Sequence, residues 1–246
     1  VNRFLQALEF LTILRFYKDA DNQGLGSSAC YFPLIGGFLG LILIGLNNLL
    51  YKLFPPALLS LILVTTLLIL TGGLHLDGLA DSCDALFSGK SKQEMLAIMH
   101  DSHKGTFGII GIITIILFKL SLLTLMPINS KNLGLFLMTV LSRYSMNISI
   151  ACFPYARNFG VAKIFFNPHR LKLFLLSTLF TLILLGLTLR WVSMLTMPLV
   201  IIFTLTINTQ IKKIINGLTG DTIGAVCELN EIVVLISIFI LTKFSL

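Results

Sequence analysis

Asp77, Asp81 and Asp84 stand at i, i+4 and i+7 in residues 72–89, GGLHLDGLADSCDALFSG, a spacing that places all three on one helix face. Like charges four residues apart repel, so three in a row call for a cation. The donors are all oxygen, and His75 has no second His one turn away. That chemistry favours a hard ion, and Mg²⁺ bridging carboxylates to substrate phosphates is the usual form. Gly72, Gly73 and Gly78 are expected to let a bulky substrate approach the backbone. The competing reading is a solvated acidic helix face; the triad beside His75 and three glycines favours function.

Residues 99–108, MHDSHKGTFG, follow closely. Asp101, Ser102, Lys104 and Gly105 suit a phosphate or a second face of the metal, whereas His100 and His103, taken singly, read as loop residues and Glu94 as solvated. Residues 217–231, GLTGDTIGAVCELNE, put Asp221, Gly224, Glu228 and Glu231 on one helical face, with Thr219 and Asp221 as helix starters. Glu228 and Glu231 fall inside an apolar run, where a carboxylate must be paired or face a wet interior. Either they serve the site, or they pair with Lys119 or Arg143 as scaffold. Arg143 lies mid-run and needs a carboxylate or a bound anion, and its planar fork suits phosphate. Lys119 is close enough to a run's end to snorkel. Arg157, in the next loop, adds a second guanidinium. Carboxylates for metal, with arginines and glycines for phosphate, point to phosphoryl transfer.

The elements that hold these groups follow from composition. Of 246 residues, 56% are hydrophobic and 12% charged, with a mean hydropathy of +0.93. A soluble domain carries about 25% charged residues, so a water-facing globule and a disordered chain are both excluded. The expectation is an all-α polytopic membrane protein forming a single catalytic domain over residues 1–246. About seven transmembrane helices are expected, at 32–50, 56–74, 106–126, 133–153, 171–189, 191–210 and 224–242. The break between the fifth and sixth rests on Arg190 and Trp191. Residues 4–16 are too short to span and read as an interfacial helix. A cleaved signal peptide is not expected, because no small-residue cleavage site follows.

Basic residues set orientation. With the N-terminus inside, Arg3, Arg15, Lys18, Lys90, Lys92, Lys104, Arg157, Lys163, Arg170, Lys172, Lys212 and Lys213 lie on the cytoplasmic side; Lys52, Lys131, Arg190 and Lys243 lie outside. The net charge of +7 then reflects topology and attraction to anionic lipids, not nucleic acid. Both acidic segments reach the cytoplasmic face, so the site faces the cytoplasm of a cytoplasmic (inner) membrane protein. Cys30, Cys83, Cys152 and Cys227 are unpaired in spacing and read as apolar fillers, without zinc or disulfides.

These residues carry a resemblance. The string 75–81, HLDGLAD, with Asp84, is similar to the signature of the cobalamin synthase family, the adenosylcobinamide-GDP ribazoletransferases. Five further segments match in order: Phe32–Gly36, Asp101-Ser102 with Gly105-Thr106, Ser142-Arg143, Tyr155–Arg157, and Thr219–Ala225 with Glu228 and Glu231. His100 departs from the pattern, which has arginine there, and this counts against a phosphate clamp at that position. The resemblance implies an Mg²⁺-dependent membrane enzyme that joins adenosylcobinamide-GDP to α-ribazole or its 5′-phosphate and releases GMP. On that basis Asp77, Asp81, Asp84 and Asp101 would hold Mg²⁺. Asp84, Asp101 and His75 would be the catalytic groups, with Asp84 or Asp101 as base. Gly78, Ser102, Gly105, Arg143, Arg157, Asp221, Glu228 and Glu231 would bind substrate. Oligomeric state, a homo-oligomer included, is left open. A CDP-alcohol phosphotransferase is the nearest alternative, but its Ala-Arg step is Ala80-Asp81 here. An ion-coupled transporter would show related halves and midplane charges.

Overall fold

A lipid-facing backbone can satisfy its polar groups only within its own helix, so apolar runs fold as helices. The computed structural model describes residues 2–16, 24–101 and 103–243. The helices are α1 (Arg3–Leu11), α2 (Leu25–Ser28), α3 (Phe32–Leu50), α4 (Pro56–Thr71), α5 (Leu74–Leu86), α6 (Lys92–Ile98), α7 (Thr106–Leu125), α8 (Ile128–Cys152), α9 (Arg170–Leu187), α10 (Trp191–Ile215) and α11 (Gly220–Lys243). Among the described residues, six helices are long and apolar enough to cross a membrane, or seven if the bent pair α4–α5 counts as one span. The protein is thus an all-helical, multi-pass membrane protein, as composition requires.

The centre is α8, which packs against α3, α9, α10 and α11. Its buried hydroxyls return to their own helix: Ser145 donates to the Ser142 carbonyl at 2.6 Å and Ser149 to that of Ser145 at 2.9 Å. Asn208 of α10 donates to Ser149 Oγ at 2.8 Å, and Asn230 of α11 donates to Thr204 Oγ1 at 3.0 Å. Such contacts hold helices together where lipid supplies no hydrophobic drive between them. The outer helices α7, α9 and α10 present Leu117, Leu175, Leu182 and Ile202 outward, an apolar surface suited to lipid.

Two expectations change. The second span ends at Thr71, and the chain turns by 89° into α5. Gly72 and Gly73 both take left-handed φ, +60° and +68°, which no side-chain-bearing residue adopts in succession without strain. These glycines make the corner that swings the acidic helix onto α11 and α7. The N-terminal helix covers only Arg3–Leu11, and its Gln6, Ala7, Leu8 and Leu11 are buried. Phe10 packs on Phe165 with ring centroids 4.9 Å apart, so α1 is part of the core.

Candidate active site

The acidic helix α5 is held by its neighbours through its smallest residues. A Cβ on Gly78 would meet the Asp221 carbonyl oxygen at 2.8 Å, and one on Gly224 would meet His75 Cα at 3.3 Å. The α5–α11 crossing thus explains both glycines, and it brings the two acidic segments into contact.

Asp77 and Asp81, one turn apart on α5, each aim one oxygen at a common point. The Lys104 ammonium occupies it, 2.6 Å from Asp77 Oδ1 and 2.5 Å from Asp81 Oδ1. Partial burial pulls the Lys104 pKa down, but the bonds and charges of the two carboxylates outweigh it and leave it above the ordinary 10.5. Asp84, the third of the triad, is engaged elsewhere. It accepts from Gly105 N–H at 2.7 Å and Gly108 N–H at 2.8 Å, capping the start of α7 from a neighbouring helix. Asp101 accepts from His103 N–H at 3.0 Å and lies 2.7 Å from the ring Nδ1; backbone bond first and ring second, these hold its carboxyl below the usual range. Ser102 lies outside the described residues.

Beside this cluster is a cavity of about 390 Å³, lined in part by His75, Asp77, Gly78, Arg157 and Asp221. Local backbone chemistry sets its polar rim. Asn216 ends α10 with left-handed φ +61°. The chain then pairs with the loop after α8: Ala156 N–H donates to the Leu218 carbonyl at 2.8 Å, and Leu218 N–H to that of Pro154 at 2.9 Å. Thr219 and Thr222 bond reciprocally and start α11, four residues before the expected span. Arg157 is thereby set against Asp221, donating at 3.2 Å, and donates also to the Leu96 carbonyl at 3.1 Å. Its buried Nε has no hydrogen-bond partner among the described residues. His100 stacks on Phe159 at the rim, with centroids 5.6 Å apart.

Arg143, Glu228 and Glu231 are not in the cavity lining. Lys119 points inward instead of snorkelling, 2.6 Å from Glu228 Oε2 and 2.5 Å from Glu231 Oε2, and Arg143 Nη1 bonds the other oxygen of Glu231. All four side chains are buried, and two cations meet two anions. Pairing is what makes such charges tolerable at membrane depth. The four charges tie α7, α8 and α11 together.

Among the described residues, no three His, Cys, Asp or Glu side chains converge as a metal cluster. Asp77 and Asp81 nevertheless place two oxygens on one cation, which is the protein share Mg²⁺ ordinarily takes when substrate phosphates and water complete the shell. The donor set therefore fits that ion at Asp77 and Asp81, while Asp84 and Asp101 have other partners. Sequence reading missed the aromatic wall of the cavity, Phe10, Phe32 and Phe165; Phe32, in a matched segment, was the available signal.

The profile of the cobalamin-5-phosphate synthase family matches residues 3–239. The chain belongs to this family. It is 37% identical over 240 residues to the adenosylcobinamide-GDP ribazoletransferase of Desulfitobacterium hafniense strain Y51, covering 95% of this chain and 94% of the relative. To the protein of the same name from Fusobacterium nucleatum it is 32% identical, with 98% of each chain covered. To that from Alkaliphilus metalliredigens it is 33% identical, covering 100% of this chain and 98% of the other. No solved structure matches the chain. In this chain the HLDGLAD segment lies on α5, and the Thr219–Ala225 segment opens the helix α11 that packs against it.

Proposed function

We propose that the chain transfers the adenosylcobinamide-phosphate group of adenosylcobinamide-GDP to α-ribazole or α-ribazole 5′-phosphate, releasing GMP and forming adenosylcobalamin or its 5′-phosphate. The observation that carries this reading is the convergence of Asp77 and Asp81 on one cation, at the rim of a cavity shared with Arg157, in a member of the cobalamin-5-phosphate synthase family. Asp77 and Asp81 are the residues that would hold Mg²⁺. What the ion supplies when bound is neutralisation of charge on the pyrophosphate oxygens.

The chain's own groups do the rest. The ribazole 3′-oxygen attacks the corrinoid-side phosphorus, and the bond from that phosphorus to the GMP oxygen breaks. Arg157, fixed by Asp221 and the Leu96 carbonyl, offsets charge as GMP departs. Asp84 or Asp101 takes the hydroxyl proton: Asp101 is exposed and bonded to His103, and both Asp84 oxygens hold N–H groups of α7. Arg143, Glu228 and Glu231 act as scaffold. We place the site on the cytoplasmic side of a cytoplasmic membrane, N-terminus in and beside anionic lipid, on the distribution of basic residues.

The test supplies membranes containing the protein with adenosylcobinamide-GDP, α-ribazole 5′-phosphate and Mg²⁺. GMP and a corrinoid carrying the added ribazole are the expected products. Formation of CMP from a CDP-alcohol, with no GMP from the corrinoid, overturns the reading.

A further inference from the structure

A groove on the outside of the bundle, separate from the site, runs between α3, α8 and α9 and encloses about 650 Å³. Residues 34–44 of α3 form one apolar wall, with Phe136 of α8 and Leu184 of α9 opposite. Phe4, edge-on to Tyr31 with centroids 6.1 Å apart, lines the end near the start of α3. From residue 34 to residue 44 a helix rises about 15 Å, half of the roughly 30 Å hydrocarbon core. The groove is therefore one leaflet long. That length suits an acyl chain, whereas a transmembrane helix of another chain needs contact through the full core.

The other end of the groove is polar. Asn129 in the first turn of α8 and Arg190 in the turn between α9 and α10 line it, and both are exposed. The sequence holds no Asp or Glu between residues 22 and 76, between 102 and 220, or after 231. Helices α3, α8 and α9, and the turns at this end of the bundle, thus carry no acidic side chain, although Lys52 and Arg190 stand there. Trp191, next to Arg190 and 57% exposed, is of the residue type that settles at headgroup depth.

We infer that this groove holds one anionic glycerophospholipid, its phosphate on Arg190, an ester or headgroup oxygen on the Asn129 amide, and one acyl chain along residues 34–44. A guanidinium fork suits a phosphate. The positive charge of this end has no acidic side chain to offset it, so a headgroup of net negative charge is favoured. A zwitterionic headgroup brings its own ammonium against Arg190 and Lys52. Seated there, the lipid braces α9 against α3 and α8. The inference does not depend on the transferase reading or on which side of the membrane this end faces.

The test incubates the full chain in detergent with equal amounts of phosphatidylglycerol and phosphatidylcholine of identical acyl chains. Native mass spectrometry counts the lipids retained, and thermal unfolding reads their effect. The unaltered protein retains one phosphatidylglycerol in preference to phosphatidylcholine, and that lipid raises Tm. Arg190→Gln weakens its binding about fivefold, the factor that one cation near a lipid surface supplies. Lys52→Gln, at the same end but outside the groove, leaves it unchanged. Leu41→Trp, which fills the groove from an exposed position, lowers retention and removes the rise in Tm. Equal retention of the two lipids by the unaltered protein, or an equal loss in Lys52→Gln, overturns the assignment. So does the same rise in Tm from glycerol 3-phosphate, which carries the phosphate without acyl chains. Efficient disulfide linkage of two chains through Leu41→Cys also overturns it, because the groove is then an interface between copies.

Discussion

Lys104 Nζ lies 2.5 Å from Asp81 Oδ1, so the most buried of the three α5 carboxylates faces a cation supplied by the loop before α7. The same ammonium reaches Asp77, and its raised pKa keeps it charged at neutral pH; the lysine's side of the contact is fully present below 10.5 and is lost as pH rises through the raised value, while protonation of the carboxylates ends the contact in acid. On the proposed reading, a metal ion would have to compete with this ammonium for one pair of oxygens. Lys104→Met is expected to lower the Mg²⁺ concentration for half-maximal GMP release several-fold, with little change in that effect between pH 6 and 9. An unchanged or higher Mg²⁺ requirement places the ion elsewhere.

Asp84 and the α7 start give a separation of roles. Two charge-assisted bonds to backbone N–H groups are worth about 1.5–3 kcal/mol each, so Asp84→Ala should lower the thermal stability of the detergent-solubilised protein clearly. Asp84→Asn, which keeps one acceptor oxygen, should retain more stability and measurable activity. If Asp84→Asn instead melts normally yet abolishes turnover, Asp84 is the base and Asp101 is not.

The buried quartet behaves as a unit. Removing one partner of a buried ion pair costs about 3–5 kcal/mol, so Glu231→Gln and Arg143→Ala are both expected to destabilise strongly. Lys119→Met combined with Glu228→Gln should cost less than the sum of the singles, because the pair is neutralised together. Simple additivity in a double-mutant cycle, read by thermal unfolding, denies the coupling.

Orientation has an independent readout. A reporter fused after Lys213, at the end of α10, should be cytoplasmic, and one placed at Arg190 should be external. The opposite pattern inverts the site with respect to the membrane.

Much of this was legible beforehand, for physical reasons. Apolar runs of about 20 residues can do little but span, so α3, α7, α9 and α11 lie close to their expected places. The i, i+4 spacing put Asp77 and Asp81 on one face, and there they share a cation. What periodicity could not show is which long-range partner a charge takes. Lys104 is 23 residues from Asp81, Lys119 is 109 from Glu228, and Arg143 is 88 from Glu231. Nor does a Gly-Gly pair declare that it turns a corner; at Gly72 and Gly73 the left-handed φ values show that it does. The Phe10–Phe32–Phe165 wall joins three distant segments, and pattern within any one of them is silent about the others.

The central claim is that Asp77 and Asp81 form the phosphoryl-transfer site. It is tested most directly by GMP release from adenosylcobinamide-GDP in the presence of α-ribazole 5′-phosphate, comparing the unaltered protein with Asp77→Asn and Asp81→Asn, before and after metal removal by chelator. The account predicts Mg²⁺-restorable release by the unaltered protein, and a loss of about a hundredfold or more in each variant if the electrostatic contribution is of the usual size. Release that survives chelation, or proceeds at an undiminished rate in either variant, contradicts it.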